Sequence, residues 1–432
     1  MAPLPAFRKR HMTGPDTVVI PEIMDAISAP KSDAAGQTRF ERKRERIIDA
    51  ATALINQRGV KGMTFVDVAQ SVNLNTASVT YYFRRKEQLA AAALDDTLGR
   101  LEAMVLAAAK MSSPRERVAE YLRLNFDLQA AILLQTERPI TVLSDMRALE
   151  DPARTELTLR YQGIFRNIRA FFGPVDDPQD KIRYNARAHV LTEILFWLPV
   201  WVSRYSLRDY PRLRARLFDL LSNGIALPGA RWAPALLEED CSEDEGDGKA
   251  AFLRAATRLI NERGYRGASV KRIASELNVT KGSFYHHLEA KDDLVLECFR
   301  RSYGRVSLIQ RAADAAGGSQ WQRLSSAIAG LLHIQLKSEF ALLRTTALQA
   351  LPSDVRNDVL DRSNRMALRF AGTLIDGIAE GSIRAIDPIV ASQAIMAMLN
   401  SANEMQNWAR PMPENDAIAI YASTLCYGMF DD

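Results

Sequence analysis

The feature that most constrains this chain is a helical unit that occurs twice. Ala50-Ala51-Thr52 recurs as Ala255-Ala256-Thr257, Leu54-Ile55-Asn56 as Leu259-Ile260-Asn261, and Arg58-Gly59 as Arg263-Gly264. Gly62, Ala69, Asn73, Ser78, Lys86 and Leu89 recur as Gly267, Ala274, Asn278, Ser283, Lys291 and Leu294, at one unvarying offset. Unrelated helical segments seldom hold register so long, and the period is far too long for a solenoid. Two whole modules are expected, and 432 residues are enough for each to bury its own core.

Each unit has the same helical pattern. Ile47, Ile48, Ala51, Leu54 and Ile55 make an apolar face that Gly59 closes as a left-handed cap would. Thr64 is placed to cap a short helix carrying Phe65, Val68, Ala69 and Val72. Asn75 to Phe83 forms a third helix, and Lys86 opens a fourth. In the second unit Val270, Ile273, Ala274 and Leu277 share one face, and Asn278 joins them to a helix from Val279 to Leu288. Two short helices so joined fit a helix-turn-helix, whose second helix offers its N-terminal residues to DNA base edges.

Longer amphipathic segments follow each unit. In the first module they run near Arg115–Leu134, Ala153–Phe172, Gln179–Arg204 and Leu213–Leu221. In the second they run near Trp321–Leu336, Val355–Ile378, Ile389–Trp408 and Asp416–Tyr427. Asp177-Pro178 and Asp387-Pro388 each supply an N-cap residue and a proline for the first helical position. Gly224 and Gly428 close the last helices, and no strand run is evident, so the fold class is all-α. The expected division is a disordered tail over 1–38, a helix-turn-helix domain over 39–100 and a helical regulatory domain over 101–235. An acidic linker over 236–248, a second helix-turn-helix domain over 249–306 and a second regulatory domain over 307–432 complete it.

Several function classes are set aside. The formal charge of +4 is too small to argue for nucleic acid by itself. Cys241, Cys298 and Cys426 suggest neither a disulfide framework nor a metal knuckle. The longest apolar run, Ile194 to Val202, contains Pro199 and falls far short of the ~20 residues that a membrane span requires. No phosphate loop, nucleophile elbow or metalloprotease helix is present. His286 and His287 are adjacent, so on a helix they diverge by about 100° and cannot chelate one ion. A cytoplasmic protein that is not an enzyme, with no cofactor and no metal, is the expectation.

The positions of the basic residues carry more. Arg39, Arg42, Lys43, Arg44 and Arg46 cluster at a helix start, where cations oppose the macrodipole. Alone, such a cluster is as readily a solvated helix end as a DNA arm; beside a helix-turn-helix it is read as a phosphate contact. The second unit is preceded by acid instead, but carries Lys271, Arg272, Lys281, His286, His287 and Lys291. Candidate DNA contacts in the first module are Arg42, Lys43, Arg44, Thr64, Asn75, Thr76, Ala77, Ser78, Thr80, Tyr81 and Lys86. In the second they are Ser269, Thr280, Lys281, Gly282, Ser283, Tyr285, His286 and Lys291. Ala77 and Gly282 are small where backbone must approach DNA, and Ser78 and Ser283 offer short hydroxyls. Val79, Phe83, Phe284 and Leu288 continue apolar faces and are read as core.

The string Thr280-Lys281-Gly282-Ser283-Phe284-Tyr285-His286-His287-Leu288, with Lys291-Asp292-Asp293-Leu294 after it, resembles the DNA-binding domain of TetR/AcrR-type bacterial regulators. Asn75-Thr76-Ala77-Ser78-Val79-Thr80-Tyr81-Tyr82-Phe83, followed by Lys86-Glu87-Gln88-Leu89, is similar to it too. The resemblance extends weakly to Glu380–Pro388. It implies three N-terminal helices reading double-stranded operator DNA, then a helical ligand-binding and dimerisation region, in a ligand-responsive regulator that is most often a repressor. It also implies phosphate contacts at Tyr285 and Lys291, with base or backbone contacts at Lys281, Gly282, Ser283 and His286. The first module departs at Thr76 and Thr80, and Tyr81 is the substitute phosphate contact.

The tandem arrangement implies an intrachain pseudo-dimer, a further homodimer being left open. A bacterial cytoplasmic protein, nucleoid-associated when on DNA, follows from the same resemblance. Phe126, Phe165, Trp197, His333 and Met366 are candidates to line a pocket for a small apolar effector, though at helical spacing such residues are more often core or interface. Ile194 to Val202 reads as an interface rather than a pocket. The rival reading is a ligand- or partner-binding scaffold in which one helix-turn-helix no longer binds DNA.

Overall fold

The computed structural model describes residues 38–237, 248–280, 282, 291–336, 341–344 and 353–430. The expected tail, except Thr38, and nearly all of the acidic linker lie outside the described residues, as do Lys281, Ser283, Tyr285 and His286. The chain divides into two compact units, Met1–Arg46 and Ile47–Asp432. In the first, the Thr38 amide donates to the Glu41 carboxylate at 2.7 Å and the Glu41 amide donates to Thr38 Oγ1 at 3.2 Å. This reciprocal cap opens α1 (Arg39–Gly62), which continues into the second unit.

The second unit carries the rest of both modules. After α1 come α2 (Phe65–Ser71), α3 (Thr76–Tyr82), α4 (Lys86–Ala108), α5 (Pro114–Leu133), α6 (Ala153–Arg169), α7 (Pro178–Val202) and α8 (Tyr210–Asn223). The second module gives α9 (Gly248–Gly267), α10 (Val270–Glu276), α11 (Lys291–Ala315), α12 (Gln320–Leu336), α13 (Ser353–Glu380), α14 (Pro388–Ser401) and α15 (Glu414–Cys426). Among the described residues there is no strand, only an isolated bridge between Ala226 and Ile383. The all-α expectation holds. Asp177 and Asp387 cap α7 and α14 ahead of their prolines.

Two expectations are refined. Gly59 takes φ 67, ψ 168, yet a further turn follows it, so the glycine kinks α1 rather than ending it. Gly264 kinks α9 in the same way at φ 72, ψ 164. The single helix expected over Ile389–Trp408 is broken: α14 stops at Ser401, a 3-10 turn spans Ala402–Met405, and one α turn follows at Gln406–Ala409. Ser401 bonds back to the Ala397 carbonyl at 2.9 Å, and Asn400 and Asn403 flank it; such side chains compete with the helix ladder.

Among the described residues, the apolar core falls into two clusters. The larger one runs from Ile47 through the first module and into the second, where it takes in the C-terminal half of α11 and parts of α12 to α15. The smaller belongs to α9–α11, with Leu343 and Val359. The larger is continuous between modules because α7 and α8 pack against α14 and α15.

That seam is reciprocal. The Ile225 amide donates to the Leu425 carbonyl at 3.0 Å, and the Met429 amide donates to the Leu221 carbonyl at 2.8 Å. Leu221 and Leu425 stand equally far before Gly224 and Gly428. A Cβ on Gly224 would lie 2.5 Å from the Cys426 oxygen, and one on Gly428 would lie 2.5 Å from the Ser222 oxygen. Trp197 Nε1 donates to Gln393 Oε1 at 3.3 Å, and Trp408 Nε1 donates to the Ile182 carbonyl at 3.2 Å. The two modules thus exchange hydrogen bonds in both directions across the seam.

Candidate nucleic-acid interface

The first helix-turn-helix is built by its caps and its turn. Thr64 accepts from the Asp67 amide at 3.2 Å and starts α2. Asn73 takes a left-handed φ of 54 in the turn, a conformation asparagine tolerates better than most residues. Asn75 Oδ1 then accepts from both the amide and the hydroxyl of Ser78, each at 2.7 Å, and starts α3. Val79 and Phe83 are buried as expected, which turns the opposite face of α3 outward. On that face Asn75, Thr76, Ala77 and Thr80 are exposed, and Tyr81 is 75% exposed.

Two candidate contacts are already engaged. The Ser78 hydroxyl closes the Asn75 cap, and Lys86 Nζ donates to the Lys61 carbonyl at 3.2 Å, bracing the end of α1. Each therefore has a structural duty at least in part. Arg42, Lys43 and Arg44 lie in the first turns of α1, in the Met1–Arg46 unit, with Arg42 and Arg44 exposed.

The second helix-turn-helix repeats this construction where it is described. Ser269 accepts from the Arg272 amide at 3.3 Å and starts α10, and Asn278 matches Asn73 with φ 54. Thr280 and Gly282 are exposed. Lys291 opens α11, though its side chain lies outside the description, as do Lys281, Ser283, Tyr285 and His286.

The repeated asparagines have a role that sequence reading missed. Asn56 Nδ2 donates to the Ile140 carbonyl at 2.8 Å, and Asn56 Oδ1 accepts from the Val142 amide at 3.0 Å. Asn261 does the same to the Leu342 carbonyl at 2.9 Å and the Arg344 amide at 2.9 Å. Each amide thus ties the first helix of a reader to a loop of its own regulatory helices. The recurrence of Asn56 as Asn261 was the available signal.

The description "Bacterial regulatory proteins, tetR family" matches residues 47–93 and again 252–298, and "Tetracyclin repressor-like, C-terminal domain" matches 317–425. The HTH-type transcriptional repressor DhaR of Mycobacterium sp. (strain GP1) is 31% identical over 138 residues, 31% of this chain and 68% of DhaR. The chain belongs to the tetR family. The HTH-type transcriptional regulator BetI of Rhizobium meliloti (strain 1021) is 34% identical over 85 residues, 19% of this chain. That match spans 42% of BetI, so the chain covers less than half the length of this relative. Among solved structures, AibR in complex with isovaleryl coenzyme A and operator DNA is 20% identical, with a TM-score of 0.37. The match takes in 41% of this chain and 98% of AibR.

In this tetR-family chain the residues expected to line an apolar pocket have different surroundings, and Trp197 borders a small cleft with Glu193, Phe196 and Arg344. Phe126 is buried edge-on against Tyr210, 5.8 Å between centroids, and Phe165 packs on the same core. Met366 Sδ accepts from the Ser307 hydroxyl at 3.2 Å. His333 is exposed and pairs with Glu414, so it is corrected from pocket to surface. Apolar periodicity marked core and seam here. A cleft of about 700 Å³ lies elsewhere, lined by Arg183, Arg187, Asn223, Arg384 and Tyr427 beside the Ala226–Gly229 strap. Arg384 spans the seam there, pairing with Asp219 at 2.9 Å and donating to the Gly224 carbonyl at 2.8 Å.

A second polar group at the seam, also missed, gathers His189 and Glu193 of α7 with Glu404, Arg147 and Arg344. Arg147 and Arg344 lie 3.3 Å and 2.9 Å from Glu404 Oε1. Burial pushes His189 down to about 4, so its imidazole is neutral at pH 7. Loss of water, then the nearby Glu404, pushes Glu193 up. Burial raises Glu404 too, but the guanidinium groups of Arg344 and Arg147 outweigh it and hold that carboxyl low. Glu404, Arg147 and Arg344 come from distant parts of the chain, so the spacing of His189 and Glu193 alone could not reveal the group.

Proposed function

We propose that the chain is a sequence-specific DNA-binding transcriptional regulator whose two non-identical readers are carried by an intrachain pseudo-dimer. The reciprocal seam carries this reading, because it joins two modules, each with its own helix-turn-helix, within one chain. In such an arrangement the recognition helices enter successive major grooves about 34–36 Å apart. In the first module Thr76, Ala77, Thr80 and Tyr81 meet the DNA, with Asn75 and Ser78 shaping the start of the helix and Thr64 that of α2. Arg42, Lys43, Arg44 and Lys86 meet phosphates. In the second, Thr280, Lys281, Gly282, Ser283 and His286 meet bases or backbone, while Ser269, Tyr285 and Lys291 hold phosphate. The readers differ, so the operator is asymmetric.

Repression is the favoured sign of regulation, in line with DhaR, a transcriptional repressor. The cleft lined by Arg183, Arg187 and Arg384 favours an effector with an anionic group over a purely apolar one. Footprinting with the full chain on DNA flanking its own gene tests the reading. One protected region covering two adjacent half-sites is expected. Absence of any protection would instead support the partner-binding scaffold.

A further inference from the structure

His189 and Glu193 are four residues apart on α7 and so share one face. Glu404 reaches them from the second module, on the 3-10 turn where α14 breaks. A ring nitrogen of His189 and one carboxylate oxygen from each glutamate lie within 4.8 Å of one another. His189 is only 7% exposed, and its Nδ1 lies 2.8 Å from the Tyr421 hydroxyl. Its Nε2 is buried with no hydrogen-bond partner. Asn400 Nδ2, on the same small cleft with Glu193 and Glu404, has none either.

We propose that His189, Glu193 and Glu404 bind one divalent transition-metal ion, with zinc the best fit, which ties the first module to the second. One imidazole and two carboxylates form a donor set that zinc accepts, at about 2.0–2.2 Å from each ligand atom, so the three side chains would draw inward on binding. The Tyr421 hydroxyl, accepting from Nδ1–H, fixes the tautomer that presents the Nε2 lone pair, as outer partners of metal-bound histidines do. Arg147 and Arg344 both pair with Glu404 Oε1, which leaves Oε2 to coordinate. The Glu404 side chain is 34% exposed, so an ion has a route in, and a water can complete a tetrahedron. The inference is independent of whether the chain binds DNA.

Calorimetric titration of the metal-stripped full chain with Zn²⁺ tests it, together with the d–d absorption spectrum of added Co²⁺. One ion per chain is expected. Glu193→Gln and Glu404→Gln should weaken binding at least about a hundredfold and abolish the Co²⁺ spectrum, and Tyr421→Phe should weaken it about tenfold. Circular-dichroism melts of the metal-free variants establish that each is folded; His333→Ala, at the exposed His333–Glu414 pair, should leave binding unchanged. The proposal is overturned if no ion binds, if Glu193→Gln and Glu404→Gln bind as the wild type does, or if binding is lost in His333→Ala alone.

Discussion

The two helix-turn-helix modules share a frame and differ in their setting. Both use a kinking glycine, a left-handed asparagine in the turn, a hydroxyl N-cap on the second helix and an asparagine clamp. The first module's reader is part of the large continuous core, while α9–α11 close around a cluster of their own among the described residues. Ion pairs further brace the first reader: Arg138 bridges Asp49 of α1 and Asp96 of α4, and Arg100 donates to the Arg138 carbonyl at 3.1 Å. The second module has Arg254 and Arg301 at the positions of Asp49 and Asp96. The second reader uses other pairs, Lys249 with Glu297 and Arg258 with Glu276, so the frame is shared while the charges that brace it differ.

The seam offers the harshest test of the duplicated frame. Gly224→Ala and Gly428→Ala each place a Cβ 2.5 Å from a carbonyl oxygen at a positive φ. Each is expected to destabilise the chain by about 2–4 kcal/mol in denaturant unfolding, through both clash and backbone strain. The two losses should match. A large loss at one glycine alone would break the reciprocity.

The asparagine clamps come next. Asn261→Ala and Asn56→Ala each remove two hydrogen bonds and strand their backbone partners, at a cost of about 1–3 kcal/mol. Asn261 is 7% exposed and Asn56 only half-buried, so the larger loss is expected in the second module. Equal losses would mean that burial does not distinguish the modules.

The smallest effect concerns Lys86. Because it braces Lys61 as well as facing the proposed phosphate, Lys86→Ala should lower the salt dependence of DNA binding by about one unit. Its thermal stability should fall by less than about 1 kcal/mol, a neutral-acceptor bond at a half-buried site. An unchanged salt slope would assign Lys86 wholly to structure.

Much of this was legible in the sequence, since local physics writes local patterns. The duplication, the all-α class, the caps at Thr64, Asp177 and Asp387 and the buried faces of Val79 and Phe83 all follow from spacing and residue type. The Ile194–Val202 segment was also readable as interface, and it lies on α7 at the seam. What was not legible depends on residues far apart. Asn56 meets a loop beyond α5, His189 meets Tyr421, and Glu193 meets Glu404 only after the modules pack. Apolar spacing could not separate a pocket from a core, so His333 and Phe126 were grouped although one is exposed and the other buried.

The central claim, two unequal readers working from one chain, is tested most directly by selecting bound DNA from a random pool with the full-length protein. The account predicts an asymmetric site: two different half-sites one helical turn apart, one altered by substituting Thr76 and the other by substituting Lys281. A perfect palindrome, read by one helix from each of two chains, would contradict it.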